Sequence, residues 1–153
     1  MRNPGIPEAV VEGPVALIII ESGKRRDAAT VSFFSELAHH PTTLWISTAR
    51  DSFTYVLLEE SRQFALAVLA EDQREIALGC GSSSGRDTDK CASLDLYRHT
   101  EGFWFLRGAL ACSACRVRDT IDVGDHRIYT ADILSGVVDS RRAHLRHLLV
   151  GDL

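Results

Sequence analysis

The sequence lacks the patterns by which membrane proteins, nucleic-acid-binding proteins and several common enzyme classes are recognised. The apolar run of residues 15–20 is far too short to span a membrane. Basic residues are scattered and the formal net charge is −4, so the basic surface typical of nucleic-acid binding is missing. The chain contains no H-E-x-x-H, G-x-G-x-x-G or Walker motif. Its one G-x-S-x-G match, residues 81–85, lies in a glycine- and serine-rich loop that does not follow a predicted strand, so it is not the nucleophile elbow of a hydrolase. We therefore expect no hydrolase of those classes, no membrane partner and no nucleic-acid partner.

The cysteines also lack a metal-binding pattern. Cys112 and Cys115 have the C-x-x-C spacing, but Cys80 and Cys91 do not supply a matching second pair. The segment around Cys112 has an apolar, alternating strand pattern, which would point the two thiols apart. Nothing in the sequence resembles a signal peptide, so we expect a cytoplasmic, reducing environment and free thiols. Four core cysteines and no bound metal are the favoured interpretation, with a zinc site as the alternative.

Short apolar segments separated by glycine-rich turns predict a mainly β domain. With 153 residues, of which 45% are hydrophobic, the chain has room for one domain with a sizeable core. We expect an irregular arm over residues 1–13 and one domain over residues 14–153, built as a closed antiparallel β-barrel with a few short peripheral helices. The pattern predicts strands over residues 14–21, 28–31, 43–46, 64–69, 103–106, 109–117 and 125–134. It predicts helices over residues 54–63 and 72–78, and a strand or helical turn over residues 144–149. A capping box of Asp72 and Glu75 is predicted to begin the second helix.

Hydroxyl side chains surround one arginine where a strand is predicted to give way to a helix, in the segment STARDSFT of residues 47–54. Backbone N–H groups at a helix start, several hydroxyl groups and the guanidinium of Arg50 together suit a phosphate group. The alternative is an ordinary helix start, in which Asp51 or Ser52 is the N-cap and Arg50 is a solvated charge. The residues alone leave both interpretations open.

A loop and a histidine complete the candidate features. The glycine- and serine-rich segment of residues 80–87 does not follow a strand, and it predicts a flexible surface loop rather than a phosphate cradle. Gly124 and Asp125 predict a tight turn that presents His126 at the head of a strand. The alternative for His126 is a turn histidine with a satisfied hydrogen bond.

Several motifs follow one another in a characteristic order. A turn of small and hydroxyl residues (28–32) is followed by Pro41, a strand, a Ser-x-x-x-x-Ser-x-Thr pattern beginning at Ser47, and a helix. Asp89-Lys90, the strand segment of residues 108–117 and Gly124-Asp125-His126 come next. From about Pro14 to the C-terminus, this ordered set resembles the flavin reductase-like family, whose members have an antiparallel, Greek-key-like FMN-binding split barrel. The chain departs from the family where it reads Asp27-Ala28, a stretch in which the family often has Asn.

The resemblance implies an NAD(P)H:flavin oxidoreductase that uses NADH or NADPH and supplies reduced FMN or FAD to a partner flavin-dependent monooxygenase. It also implies a homodimer, because family members build the flavin site at a subunit interface, and it places the loop of residues 80–87 near the flavin. His126 would lie by the flavin face where the nicotinamide enters. The resemblance implies cofactor contacts at Thr30, Val31 and Ser32 along the polar edge of the ring, with Ala29 beside them in the sequence as a further cofactor contact. It implies Phe53 near the ribityl chain, and Ser47, Thr48, Arg50, Ser52 and Thr54 at the phosphate.

Two other functions stay open at this point. One is a flavin-binding electron-transfer protein without NAD(P)H turnover, which would retain flavin tightly and leave NAD(P)H unoxidised. The other is an interaction domain that binds no flavin and uses its thiols only as core residues.

Overall fold

Antiparallel strands dominate the structure. The computed structural model describes residues 12–99, 102–139, 141, 143–146 and 150. Its strands are β1 (Ala16–Ser22), β2 (Arg25–Val31), β3 (Phe34–His39), β4 (Thr42–Ala49), β5 (Gln63–Val68), β6 (Leu96–Arg98), β7 (Trp104–Leu106), β8 (Ala111–Val123) and β9 (His126–Val138). The helices are α1 (Phe53–Ser61) and α2 (Arg74–Gly81), with a 3-10 turn at Lys90–Ser93. Seven strands pair in the order β2-β1-β5-β8-β9-β4-β3, and β6 pairs with β7.

β1 is apolar because both of its faces are buried. Ile18 and Ile20 pack in one core cluster with Leu58 of α1, whereas Leu17 and Ile19 pack in a second cluster with residues of α2 and the β6–β7 hairpin. Successive side chains of a strand point to opposite faces of the sheet, so this alternation places α1 on one face and α2 on the other. Both helices contact β2 at the edge of the sheet. The space between the helices therefore opens beside β2.

The predicted fold class, mainly β with antiparallel strands and few helices, is confirmed. The strand order begins at β2 and ends at β3, and within the described residues no ladder joins these two strands. No described helix is long and apolar enough to cross a lipid bilayer.

Several predicted boundaries are wrong. β2 begins at Arg25 rather than at residue 28, because Gly23 makes the turn early with a φ of +61°. α1 spans Phe53–Ser61 rather than 54–63, because Arg62 adopts the left-handed conformation with a φ of 56°. β8 and β9 extend to Val123 and Val138, well past the predicted ends at residues 117 and 134. The two strands stay hydrogen-bonded to each other beyond the predicted ends, where most of their side chains are exposed. The apolar pattern therefore does not predict these outer segments.

The second helix also differs from its prediction. α2 begins at Arg74 and continues to Gly81, and the predicted capping box is wrong. Gln73 precedes the helix, and its side chain accepts a hydrogen bond from the Ala70 N–H at 2.9 Å instead of capping α2. β3, β6 and the 3-10 turn were not predicted, since they have no clear apolar alternation. Residues 147–149 of the predicted terminal element and residues 1–11 of the predicted arm lie outside the described residues.

The four cysteines are free and buried, as predicted. Cys112 and Cys115 belong to different core clusters, which agrees with the expectation that their thiols point apart. Burial raises the pKa of the Cys91 and Cys115 thiols to about 12, so both are neutral thiols at physiological pH. Within the described part of the chain, no three His, Cys, Asp or Glu side chains are grouped so that they could hold a metal ion.

A polar network joins α1 to β9. The fully buried Tyr129 donates a hydrogen bond from its hydroxyl to the Glu59 carboxylate at 2.8 Å, and Arg127 donates to the same oxygen at 2.7 Å. Arg127 also forms two hydrogen bonds with Asp122, at 2.6 and 2.9 Å. Burial raises the pKa of Glu59, but the hydrogen bonds from Tyr129 and Arg127 outweigh that effect and hold the pKa below its ordinary value. Glu59 therefore stabilises the fold as an anion.

We expect the free energy of unfolding to fall as the pH drops below about 4.3, the ordinary pKa of glutamate, because the unfolded chain then takes up a proton that folded Glu59 does not. Glu59→Gln should reduce this acid dependence and lower the free energy of unfolding at neutral pH by about 1–2 kcal/mol. Urea unfolding between acidic and neutral pH measures both effects. Glu75→Gln is the control, since the Glu75 side chain is 90% exposed and should change neither quantity. An acid dependence that is the same in Glu59→Gln and the unaltered protein would contradict the assignment.

Candidate functional site

A cleft of about 440 Å³ opens between β2, the start of α1 and the segment that follows α2. Its volume lies within the range of small-molecule sites, roughly 300–1,000 Å³. Hydroxyl groups, backbone amides, two cationic side chains and two carboxylates line it, so it suits a polar ligand. The lining residues are Asp27, Ala29, Thr30, Asp51, Ser52, Phe53, Thr54, Lys90 and residues 80–86.

The start of α1 forms one wall of the cleft. Ser52 is the N-cap: its hydroxyl accepts a hydrogen bond from the Tyr55 N–H at 3.1 Å and donates one to the Ala49 carbonyl at 2.7 Å. The cap interpretation is therefore confirmed for Ser52. The amides of Phe53 and Thr54, in the first turn, have no hydrogen-bond partner among the described residues. A helix start with free N–H groups still favours an anion, so the two interpretations are compatible.

A buried ion pair forms the floor. Asp27 is 1% exposed and Lys90 is 7% exposed, and the Lys90 ammonium lies 3.2 Å from the Asp27 carboxylate. Asp27 also accepts hydrogen bonds from the Thr54 hydroxyl at 3.1 Å and from the Ala28 N–H at 2.9 Å. Lys90 donates to the backbone carbonyls of Cys80 at 2.9 Å and Ser83 at 3.0 Å. Because both charges are paired and hydrogen-bonded, the contact holds β2, α1 and the segment of residues 80–90 together.

The segment after α2 lies directly on this floor at Gly85. A Cβ atom on Gly85 would stand 2.3 Å from an Asp27 carboxylate oxygen and 2.9 Å from the Phe53 ring. These distances are shorter than van der Waals contact, so any larger residue at this position requires the loop, Asp27 or Phe53 to shift. The loop of residues 80–87, predicted as a surface loop, is mostly exposed and also forms a wall of the cleft.

The cleft brings together five of the predicted cofactor contacts: Ala29, Thr30, Ser52, Phe53 and Thr54. Val31 ends β2 and Ser32 follows it, both outside the cleft lining. Ser47, Thr48 and Arg50 are also outside the lining. The hydroxyl of Thr48 is buried on the core side of β4 and has no hydrogen-bond partner among the described residues. The Arg50 guanidinium donates to the Gly124 carbonyl and lies 4.0 Å from the Asp122 carboxylate, beside the β8–β9 turn.

His126 lies on the other side of the β4–α1 connection. It is the first residue of β9, after a turn in which Gly124 has a φ of +58°, as the sequence predicts. Its Nδ1 atom is 2.8 Å from the Asp125 carboxylate, and its ring lies 6.1 Å from the Phe33 ring, centroid to centroid. The hydrogen bond and charge of His126 lower the pKa of Asp125. One third of the His126 side chain (33%) is exposed, so the imidazole is accessible, although it is not part of the cleft lining.

Sequence reasoning missed the ion pair, Gly85 and Arg86. Asp27 and Lys90 are far apart in the sequence, and no local motif joins them. Three signals were available in the sequence: Asp27-Ala28 departs from the resembling family, Asp89-Lys90 belongs to the ordered set of motifs, and the resemblance places the loop of residues 80–87 near the flavin.

Comparisons with known proteins identify relatives of this chain. The reductase component of 4-nitrophenol 4-monooxygenase/4-nitrocatechol 2-monooxygenase from Rhodococcus opacus is 28% identical over 106 residues, which are 69% of this chain and 55% of the relative. The NADPH-flavin oxidoreductase of Streptomyces viridifaciens is 30% identical over 127 residues, which are 80% of this chain and 64% of the relative. The chain thus spans less than two thirds of the length of either relative.

A solved structure shows the same fold. The NADH:FAD oxidoreductase SgcE6 of Streptomyces globisporus C-1027 aligns with a TM-score of 0.83 at 20% identity, over 88% of this chain and 81% of that chain. The family model described as "Flavin reductase like domain" matches residues 9–149. Because that match covers most of the sequence, this chain belongs to the flavin reductase like domain family.

Proposed function

We propose that the protein is an NAD(P)H-dependent flavin reductase that takes FMN or FAD and oxidises NADH or NADPH. The observation that carries this proposal is the cleft, which gathers five predicted flavin contacts at a helix start in a chain of the flavin reductase like domain family. The relative from Streptomyces viridifaciens, named an NADPH-flavin oxidoreductase, supports the same activity.

The residues of the cleft fit the two ends of a flavin. The free amides of Phe53 and Thr54 and the cap residue Ser52 would hold the phosphate, and the β2 residues Ala29 and Thr30 would lie along the ring; all five residues line the cleft. Val31, Ser32, Ser47, Thr48 and Arg50 stay predicted contacts of the same ligand. When bound, a flavin accepts a hydride from a reduced nicotinamide, so the protein need supply no nucleophile. The task of these residues is to bind and orient, and the accessible imidazole of His126 is assigned to the side where the nicotinamide enters.

The partner and the setting are part of the same proposal. The relative from Rhodococcus opacus is the reductase component of a monooxygenase, which supports a flavin-dependent monooxygenase as the recipient of reduced flavin. We place the protein in the cytoplasm, with residues 14–153 as one flavin reductase-like domain.

We further propose a homodimer that shares the site. Residues paired across a sheet share a face, and Ser47 pairs with Ile128, which pairs with Ile121. In the next row of the same face, Ala49 pairs with His126 and His126 with Val123. Ile121 is 54% exposed and Val123 is 56% exposed, and the exposed Phe33 ring packs beside His126. An exposed apolar face that includes Ser47 and His126 suits a second copy of the chain.

NADH and NADPH oxidation by the purified protein, measured with FMN, FAD or no flavin added, tests the activity. We expect oxidation to require added flavin, because the cleft binds the flavin while the cofactor carries out the hydride chemistry. If the protein retains flavin but oxidises neither NADH nor NADPH, the result would contradict the reductase and support a flavin-binding electron-transfer protein. If the protein neither binds flavin nor oxidises NADH or NADPH, the result would support an interaction domain that binds no flavin.

Gly85→Ala tests whether the cleft is the flavin site. The added Cβ requires the loop, Asp27 or Phe53 to shift, and all three line the cleft. We therefore expect the dissociation constant for FMN to rise at least about tenfold, a loss of roughly 1.4 kcal/mol. Gly79→Ala is the matched control, since a Cβ there has nothing within 4 Å and alanine favours the helix. Flavin fluorescence titration measures both variants. Equal FMN affinity in Gly85→Ala and Gly79→Ala would place the flavin elsewhere.

Ile121→Asp tests the shared interface. A charge on the exposed face should convert the dimer to monomers, because a buried carboxylate without a partner is costly at an interface. Val138→Asp is the control, since Val138 is 76% exposed and lies at the opposite end of the same strand pair. Sedimentation velocity reports the mass of each species. A monomeric unaltered protein, or an Ile121→Asp variant that stays dimeric, would rule out this interface.

A further inference from the structure

We propose that Arg86 is the residue that recognises the phosphate of the bound flavin and so makes the site prefer a phosphorylated flavin over riboflavin. This inference rests on the proposed function. Two cationic side chains line the cleft, Arg86 and Lys90, and only Arg86 has charge and hydrogen-bond donors left for a ligand.

Lys90 has neither. Its ammonium group has three N–H donors, and three acceptors surround it: the Asp27 carboxylate at 3.2 Å and the carbonyls of Cys80 and Ser83 at 2.9 and 3.0 Å. Asp27 neutralises its charge in a buried setting, where exchange of that partner for a ligand would leave the carboxylate unpaired. Lys90 therefore holds the cleft together but does not bind the phosphate.

The neighbouring arginines are also paired. Arg25 forms an ion pair with Glu60, and Arg26 binds Asp89 through two of its nitrogens. Arg50 donates to the Gly124 carbonyl and lies within ion-pair distance of Asp122, on the side of the β8–β9 turn.

Arg86 is different. Among the described residues, no carboxylate lies within ion-pair distance of its guanidinium, and its only protein acceptor there is the Asp51 carbonyl at 3.4 Å. Arg86 is exposed, and its guanidinium lies 5.8 Å from the centre of the Phe53 ring, beside the first turn of α1. Most of its five N–H donors are thus available next to the free amides of Phe53 and Thr54.

A planar guanidinium with free donors binds a phosphate through paired, charge-assisted hydrogen bonds. The first-turn amides supply further donors to the same group. Arg86 follows Gly85, whose close approach to Asp27 and Phe53 positions the loop. The position of the Arg86 guanidinium therefore depends on that contact.

The test is a comparison of dissociation constants for FMN and riboflavin, measured by fluorescence titration of the unaltered protein and of Arg86→Gln. We expect the unaltered protein to bind FMN more tightly than riboflavin. Arg86→Gln should weaken FMN roughly 10- to 100-fold, the value of a hydrogen bond to a charged group, and should change riboflavin by less than about threefold. Arg25→Gln is the matched control, because Arg25 also lies beside the Phe53 ring, at 6.0 Å, but is paired with Glu60. Circular dichroism confirms that each variant is folded.

The outcomes separate this inference from the proposed function. Equal binding of FMN and riboflavin by the unaltered protein, or an unchanged FMN preference in Arg86→Gln, would overturn the role of Arg86 and leave flavin binding intact. Loss of the preference in Arg50→Gln but not in Arg86→Gln would transfer the role to Arg50. Failure of the unaltered protein to bind either flavin would remove the proposed function itself, and this inference with it.

Discussion

The geometry of the cleft depends on one buried contact, the ion pair of Asp27 and Lys90. It joins β2 to the segment after α2, and the Thr54 hydroxyl adds the first turn of α1 to the same carboxylate. Loss of either charge would leave the other buried without a partner, which costs far more than an exposed pair contributes. The three walls of the cleft are thus fixed relative to one another by polar contacts, and the apolar clusters on the two faces of the sheet hold the helices in place around them.

The parts of the fold that burial determines could be read from the sequence. The continuous apolar runs of β1 and β5 predict these strands because their side chains fill the two core clusters. β3 and the outer halves of β8 and β9 could not be predicted in this way, since their side chains are largely exposed. Backbone pairing with neighbouring strands holds these segments, and pairing leaves little trace in residue type.

The same distinction applies to the site. Ser52, Phe53 and Thr54 were recognisable because a helix start places consecutive residues together. Asp27, Gly85 and Lys90 come together only through tertiary packing, and each looks ordinary within its own segment. Ser47 and Thr48 show a further limit. They are adjacent in the predicted hydroxyl cluster, yet β4 directs Thr48 into the core and Ser47 to the opposite face, so one strand cannot bring both to the same ligand atom.

The alternation of β4, β8 and β9 has a consequence for how this protein can change over time. One set of residues on these strands, including Thr48 and Tyr129, packs against the core and α1, while the other set, including Ser47, His126 and Ile121, lies on the exposed face. Substitutions in the second set leave the packing of the first nearly untouched. The residues of the exposed face can therefore be replaced one at a time while each intermediate sequence still folds.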